Sequence, residues 1–447
     1  MGQLASAPSP GPGSRSPGRL RSALLALALG GLLAGLALAL AEASLAWLHP
    51  DAFEVVQRRA AARGEPLDRR SRMTFVRSLR ATGVDAVPRI VPAALLEPDG
   101  SGPLHSRIRI GGEEVLPLAG IAGVTTVLCA EGGPYAVYES DAQGFRNPPG
   151  AGAGAPIELL LLGDSFTIGE CVPEGQTIAD RLRERWPATV NLGYSGNSPL
   201  LELATLVEYG RALRPRRVLW LYFENDLSQF DIERSARSPL LARYLEPGFS
   251  QGLRERRAEI DAALRSLVDE RIGQPDDPSP VERFEAVRPG RWERLRSALR
   301  LSRTRRWLAG RFELGTATDR TGALALFDRV LDRARDEVAD FEGELVFVFL
   351  PGSWNYDSSG GVPHWAGGRL RRAVLERVAA RGIPIIDLHA ALAGHRDPLA
   401  LYAYPGQTAL GPSHFNAAGY AFAADSIRAA LEASSTGTAR RSQISRQ

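Results

Sequence analysis

Residues 157–167 read IELLLLGDSFT, and this stretch decides the fold. Its run Ile157–Leu162, apolar apart from Glu158, is typical of a strand that is buried on both faces of a parallel sheet. The polar triplet Gly163-Asp164-Ser165 follows the run directly. Ligand-binding groups in an open parallel sheet lie beyond the carboxyl ends of its strands, so we expect the Ser165 hydroxyl at a functional edge.

Strand and helix patterns alternate on the C-terminal side of this stretch. Helical patterns cover residues 177–186, 199–213, 370–380 and 417–432, and further strand patterns cover residues 189–192, 217–223, 343–350 and 383–388. Such alternation indicates a parallel sheet with helices on both faces. The sequence therefore predicts an α/β fold, a three-layer α/β/α domain with a flavodoxin-like strand order.

The borders of this domain follow from composition. A stretch rich in Gly, Ala and Pro at residues 148–156 predicts a linker, so we place the domain at residues 151–432. An Arg- and Glu-rich, mostly helical pattern interrupts it at about residues 227–320 and predicts an insertion. We expect the tail, residues 433–447, to be disordered.

The N-terminus carries an export signal. Residues 1–21 are rich in Pro, Gly and Ser and predict a disordered cytoplasmic segment. Residues 22–41 are uncharged and long enough to span a bilayer as a helix. The arginines that precede this stretch favour a single-pass transmembrane anchor, with the N-terminus in the cytoplasm and the domain in the periplasm. A signal peptide cleaved at residues 41–43 is the alternative, and both interpretations export the domain.

Residues 42–150, between the anchor and the domain, predict a stalk and a small β-rich region. The β-type residues concentrate in residues 104–140, between Gly and Pro breaks. This part contains Cys129, and the only other cysteine, Cys171, lies six residues after Ser165. Because exported domains retain disulfides, we predict a Cys129–Cys171 bond that fixes the region to the α/β domain. Two separate buried thiols are the alternative.

Composition excludes several functional classes. Of the 447 residues 44% are hydrophobic, and the formal net charge is only +3. The basic side chains are arginines that scatter along the chain without a stripe of interleaved aromatics, so we predict no nucleic-acid partner. The cysteines and histidines show no zinc-site spacing, and we predict no metal and no cofactor.

Three further polar blocks lie at the ends of the second and third strands and at the start of the last helix. They contain, in this order, Gly196, Asn225 and His414. Acyl transfer by a serine needs a base that takes the hydroxyl proton and donors that face the developing oxyanion. His414 can act as the base for Ser165. The backbone N–H groups of Gly196 and Ser165 and the Asn225 side chain can act as the donors.

The blocks GDS, LGYSGN, END and HFNAAGY resemble those of the SGNH or GDSL-type hydrolases, over residues 155–432. Residues 117–148 also resemble a region that precedes this domain in membrane-anchored bacterial members. The resemblance implies four catalytic residues: the nucleophile Ser165, the oxyanion-hole residues Gly196 and Asn225, and the base His414.

The activity that this resemblance implies is that of an extracytoplasmic serine esterase or O-acyl (acetyl) transferase with a seryl-acyl intermediate. The partners would be an ester-bearing substrate and, through the N-terminal helix, the lipid bilayer. An acylated polysaccharide of the cell envelope is the leading substrate, and a lipid or other carboxylic ester is the second. The alternative from another class is a catalytically silent domain that binds glycans or assists their assembly.

Two positions depart from the family pattern. Phe223 stands where the third block usually has a glycine, and Gly411 stands where the last block usually has an aspartate that orients the histidine. Loss of such a carboxylate from a triad can lower the rate by about 10⁴, which motivates the silent alternative. We expect a backbone carbonyl, or Asp387 at the end of the fifth strand, to orient His414 instead.

Three aromatic residues follow the fourth strand: Trp354, Tyr356 and Trp365. Aromatic side chains on a loop near the functional edge can stack on sugar rings, so we regard these three as candidate substrate-binding residues. Anchoring of the loop to the core is the alternative role.

Overall fold

The structure is a computed structural model of the full chain. It describes residues 17–48, 52–64, 67–100, 102–131, 133–227, 234–272, 274, 292, 296, 300–301, 304, 321–356, 364–404, 407–408 and 411–444. Much of the insertion predicted at residues 227–320 therefore lies outside the described residues.

The chain divides into two compact units. The smaller unit comprises residues 1–50 and 289–308, and its main element is helix α1, Pro17–Leu48. Glu42 on this helix accepts hydrogen bonds from the backbone N–H and the hydroxyl of Thr304, at 2.9 and 3.0 Å. This contact gives the polar end of α1 a partner within its own unit.

Helix α1 contains the apolar segment that the sequence predicts as an anchor. Within the described residues, one helical stretch is long and apolar enough to cross a membrane, Leu24–Ser44. A signal sequence has the same properties, so the structure is compatible with both interpretations. The helix begins at Pro17, five residues before the apolar run predicted from residue 22.

The larger unit comprises residues 51–288 and 309–447 and contains the central sheet. Its α-helices are α2 Ala52–Arg63, α3 Arg72–Arg80, α4 Ser165–Ile168, α5 Ile178–Arg183, α6 Pro199–Thr205, α7 Arg211–Leu213, α8 Pro239–Ala242, α9 Arg257–Ile272, α10 Thr321–Asp340, α11 His364–Ala380, α12 Leu388–Ala393 and α13 Ala417–Ile444. Its 3-10 helices are Pro92–Leu95, Arg243–Leu245, Ser353–Asn355 and Pro398–Leu401, and a π-helical turn, Leu206–Gly210, joins α6 to α7.

The strands of this unit follow the predicted order along the chain. They are β1 Ala86–Pro88, β2 Leu96–Pro98, β3 Leu104–Ser106, β4 Arg109–Ile110, β5 Glu113–Glu114, β6 Thr125–Val127, β7 Val137–Glu139, β8 Leu159–Gly163, β9 Thr189–Asn191, β10 Arg217–Phe223, β11 Glu344–Leu350, β12 Ile385–Asp387, β13 Gln407–Thr408 and β14 Gly411–Pro412. Helix α13 continues to Ile444, which is beyond the domain border predicted at residue 432.

Five strands form a parallel sheet in the order β12-β11-β10-β8-β9. This is the flavodoxin-like order, and it confirms the predicted α/β fold. Side chains alternate across a strand, so Leu160 and Leu162 of β8 pack into one buried cluster, and Leu159 and Leu161 pack into another. The leucines of β8 therefore pack in the cores on both faces of the sheet.

The β-rich region, residues 86–147, precedes the central sheet. Strands β1, β6 and β7 form a mixed three-stranded sheet within it. Asn147 donates to the carbonyl of Asn191 at 2.9 Å and accepts from its backbone N–H at 2.8 Å. Buried Arg146 donates to the carbonyl of Gly169 at 2.7 Å. These bonds fix the region directly to the loops that follow β8 and to strand β9.

Candidate active site

A sharp turn at the end of β8 presents the predicted nucleophile. Gly163 has φ +154°, and a Cβ there would lie 2.2 Å from Thr167 Oγ1 and 2.5 Å from the Leu221 carbonyl oxygen, so only glycine fits. Buried Asp164 caps α4, since its Oδ1 accepts from the backbone N–H of Phe166 at 2.9 Å. The turn therefore leaves half-buried Ser165 at the first position of a short helix.

The predicted base lies within hydrogen-bond distance of the predicted nucleophile. His414 Nε2 is 2.9 Å from Ser165 Oγ, whereas Asp164 Oδ2 is 3.3 Å from the same oxygen. The imidazole ring also packs against Phe166, with ring centroids 5.1 Å apart. The structure thus brings together two side chains that are 249 residues apart in the sequence, in the arrangement that activates a serine.

The second nitrogen of His414 faces a carboxylate that the sequence reasoning missed. Glu131 Oε1 lies 2.8 Å from His414 Nδ1, and Glu131 Oε2 accepts from the His414 backbone N–H at 3.3 Å. Asp387 instead pairs with Arg371 and accepts from the backbone N–H of His389 at 3.0 Å. Both predicted partners of His414, a backbone carbonyl and Asp387, are therefore wrong, because a glutamate of the β-rich region occupies that place.

The disulfide explains how this glutamate reaches the sheet edge. Cys129 and Cys171 are bonded, with Cα atoms 5.0 Å apart. Glu131 is two residues after Cys129, and Cys171 is six residues after Ser165. The predicted disulfide could therefore have identified Glu131 as a partner of His414. It brings Cys129, and with it a carboxylate two residues further along the chain, to the loop that contains Cys171.

The loops with the predicted oxyanion donors meet at the same end of the sheet. The Tyr194 backbone N–H and the Asn197 side chain both donate to the Gly163 carbonyl, at 3.1 and 3.3 Å, and Gly196 lies between them with φ +74°. Asn225 follows β10, whose Leu221 pairs with Gly163. The Asn225 side chain is half-buried at this position.

A second ionic contact links the β-rich region to the predicted oxyanion loop. The buried carboxylate of Glu170 pairs with Arg89 and accepts from Ser195 Oγ at 2.6 Å, next to Gly196. Burial and the charge of Arg72 lower the pKa of the Arg89 guanidinium. Since the charged form is costly at this position, the Glu170 carboxylate is needed to balance it.

Two of the three predicted aromatic residues, Trp354 and Tyr356, have described side chains. Trp354 is only 8% exposed and packs edge-on against Phe223, with ring centroids 5.6 Å apart. Tyr356 is half-buried, and its hydroxyl is 3.2 Å from His389 Nδ1. Trp365 lies in helix α11, but its side chain is outside the described residues. Trp354 therefore anchors the loop to the core and does not fit the predicted sugar-stacking role.

Two clusters of potential metal-ligand atoms occur within the described residues, and both include Cys171. One cluster adds Cys129 and Glu170, and the other adds Glu131 and His414, with all atoms of a cluster within 4.8 Å of one another. The cysteine sulfurs are joined in the disulfide, so they are not the thiolates that bind metals.

The sequence profile of the GDSL-like lipase/acylhydrolase family matches residues 161–422, which is more than half of the chain. The chain belongs to this family. The match extends from the strand before Ser165 to the helix after His414. The chain is therefore a GDSL-type hydrolase that acts on ester bonds, as the resemblance of the four blocks predicted. No curated protein matches the sequence.

Solved structures of this class share low sequence identity with the chain. A lipase/acylhydrolase from Enterococcus faecalis is 14% identical, with 60% of this chain and 92% of that chain covered, at a TM-score of 0.32. A catalytic mutant of an acetylxylan esterase from Geobacillus stearothermophilus is 13% identical, with 61% and 93% covered, at a TM-score of 0.30. Because these scores are low, the assignment depends on the family match.

Proposed function

We propose that the chain is an extracytoplasmic serine esterase or O-acyl transferase that acts on acyl esters of a cell-envelope polysaccharide. The observation that carries the catalytic part is the 2.9 Å contact between Ser165 Oγ and His414 Nε2. The family membership restricts the reaction to esters. The silent alternative rested on Gly411, and the carboxylate of Glu131 beside His414 removes that reason.

In this mechanism His414 Nε2 takes the hydroxyl proton while Ser165 Oγ attacks the acyl carbon. The tetrahedral oxyanion accepts hydrogen bonds from the Ser165 and Gly196 backbone N–H groups and the Asn225 amide. The C–O bond to the alcohol then breaks, and His414 returns the proton to the leaving oxygen. Water or an acceptor hydroxyl attacks the seryl ester in the same manner, which gives the free acid or a new ester.

A cavity that includes Glu131 in its lining borders the site, and we take it as the candidate pocket for the substrate. It has a volume of about 760 Å³, and its lining includes Val56 and Arg59 of α2, Glu131, Tyr135 and Phe415. Cavities of this size hold ligands as large as short oligosaccharides or drug-sized molecules. Its lining combines apolar rings with charged groups, as a sugar with both apolar faces and hydroxyls requires.

The nucleophile assignment is tested with the full chain in detergent and a nitrophenyl acetate ester. We expect Ser165→Ala to abolish turnover and labelling by a fluorophosphonate probe, since no other group would form the acyl intermediate. Asn225→Ala should keep the Ser165–His414 pair and lower kcat by roughly 10²–10³, with little change in KM. Wild-type kcat in Ser165→Ala would contradict the proposed function. The products then distinguish the two activities. A hydrolase releases acetate, whereas a transferase moves the acetyl group to an added oligosaccharide.

The location of the catalytic domain relative to the membrane is tested with a fusion to a reporter enzyme. The apolar segment Leu24–Ser44 follows Arg15, Arg19 and Arg21, so the positive-inside rule places the catalytic domain outside the cytoplasm. Alkaline phosphatase fused after residue 447 should be active, and the chain should sediment with membranes. An inactive fusion would contradict export, whereas a soluble mature chain that begins near residue 44 would replace the anchor by a cleaved signal.

A further inference from the structure

The contact between Glu131 and His414 has the geometry of a complete triad. One carboxylate oxygen faces the ring nitrogen at 2.8 Å, and the other accepts from the backbone N–H of the same histidine at 3.3 Å. Both side chains are well shielded, with 16% and 14% of their surface exposed. Two bonds to one residue fix the imidazole relative to its own backbone, so Nε2 remains directed at Ser165.

Other acids at this edge of the sheet are engaged elsewhere. Asp164 caps α4, Glu170 pairs with Arg89, and Asp387 pairs with Arg371. Glu224 accepts from the Gly352 backbone N–H at 3.2 Å and from Asn355. Among the described acidic side chains, Glu131 is the one that contacts the imidazole of His414.

We propose that Glu131 is the positioning residue of the triad and that the Cys129–Cys171 disulfide holds it in place. The inference rests on the proposed function, because it concerns the same serine and histidine. Glu131 keeps the proton of the neutral imidazole on Nδ1, so that Nε2 can accept from Ser165, and it stabilises the imidazolium that forms. The triad acid thus comes from the β-rich region. It takes the role of the family's aspartate, whose position is occupied here by Gly411.

The disulfide is placed to control this contact. The Cys171 sulfur lies within 4.8 Å of both a Glu131 carboxylate oxygen and a His414 ring nitrogen. Cys129 is separated from Glu131 by Ala130 alone. A dithiol reductant would supply two electrons and two protons, break the S–S bond and become a disulfide itself. The backbone before Glu131 would then lose its covalent link to the active-site loop.

The first test compares Glu131→Gln with wild type in the full chain, with nitrophenyl acetate as substrate. We expect kcat to fall by about 10²–10⁴, the scale for loss of a triad acid. The acid limb of the kcat/KM profile should move to lower pH, because removal of a carboxylate disfavours the imidazolium. Arg89 and Asp164, the charged groups nearby, remain in every variant. Glu131→Asp, which keeps the charge, should recover part of both properties.

Asp387→Asn is the matched control, since it removes a carboxylate from the same side of the sheet that does not contact His414. It should keep the wild-type kcat and pH profile. Wild-type kcat and an unshifted profile in Glu131→Gln would overturn the positioning role. If Ser165→Ala is inactive in that case, the proposed function still stands, whereas an active Ser165→Ala variant contradicts the function itself.

The second test removes the disulfide and leaves Glu131 in place. Wild type treated with dithiothreitol and the double variant Cys129→Ala/Cys171→Ala should both show a kcat at least tenfold lower. Both should also show the acid-limb shift of Glu131→Gln. Adding Glu131→Gln to the double variant should cause no further shift. Full activity without the bond, or loss of activity only when circular dichroism shows unfolding, would overturn the role of the disulfide in holding Glu131.

Discussion

The central sheet and the β-rich region contribute to the active site in different ways. The sheet provides positions: Ser165, Gly196 and Asn225 follow three of its strands, and His414 precedes helix α13. The β-rich region provides long charged side chains, Arg89 and Glu131, which reach the sheet from outside. The contribution of the sheet depends on where its strands end. The contribution of the β-rich region depends on which of its side chains contact the sheet domain.

Two buried acids, Glu202 and Glu170, differ in how the cost of burying a carboxylate is reduced. Glu202, inside the sheet domain, is fully buried, and its carboxyl accepts from Trp220 Nε1 at 2.6 Å. Burial, and then the charge of Asp164, raise its pKa well above the ordinary value, which favours the neutral acid. Glu170, at the boundary, is instead paired with Arg89. The cost of a buried carboxylate is therefore avoided by protonation at Glu202, whereas at Glu170 it is offset by a guanidinium from the β-rich region.

Loss of the boundary ion pair should have the largest effect on stability. Arg89→Gln leaves the carboxylate of Glu170 buried without its cation, which typically costs about 3–5 kcal/mol in unfolding free energy. Glu170→Gln in the same chain should restore much of this loss, since no uncompensated charge remains. Denaturant unfolding of the full chain in detergent measures both.

An exposed pair provides the comparison for that experiment. Arg335 and Asp336 are 2.9 Å apart, with 44% and 61% of their side chains exposed. Arg335→Gln should cost less than about 1 kcal/mol, because water screens such pairs. An Arg89→Gln loss as small as this would show that the β-rich region is not fixed to the sheet domain through Glu170.

The difference between the regions also explains what the sequence could predict. A strand buried on both faces must be apolar throughout, so the run before Gly163 predicted the sheet. The four blocks predicted the serine and the histidine because each lies next to a strand or helix end. Glu131 follows no such rule: its partner is 283 residues away, and short strands surround it. Only the disulfide prediction placed this segment near Ser165.

A smaller effect than that of Arg89→Gln is expected for Glu202, the buried acid of the sheet domain, and it depends on pH. The folded chain holds the Glu202 proton more tightly than the unfolded chain, whose carboxyl has an ordinary pKa near 4.5. The resulting stabilisation is fully present below that value and is lost as pH rises towards the folded-state pKa. Glu202→Gln cannot ionise and keeps an oxygen for Trp220. Relative to wild type, its unfolding free energy should therefore increase with pH, by about 1.4 kcal/mol per pH unit in that window. Unfolding at pH 5, 6 and 7, with Asp336→Asn as an exposed control, measures the slope, and a difference that does not vary with pH would mean that Glu202 is not held neutral.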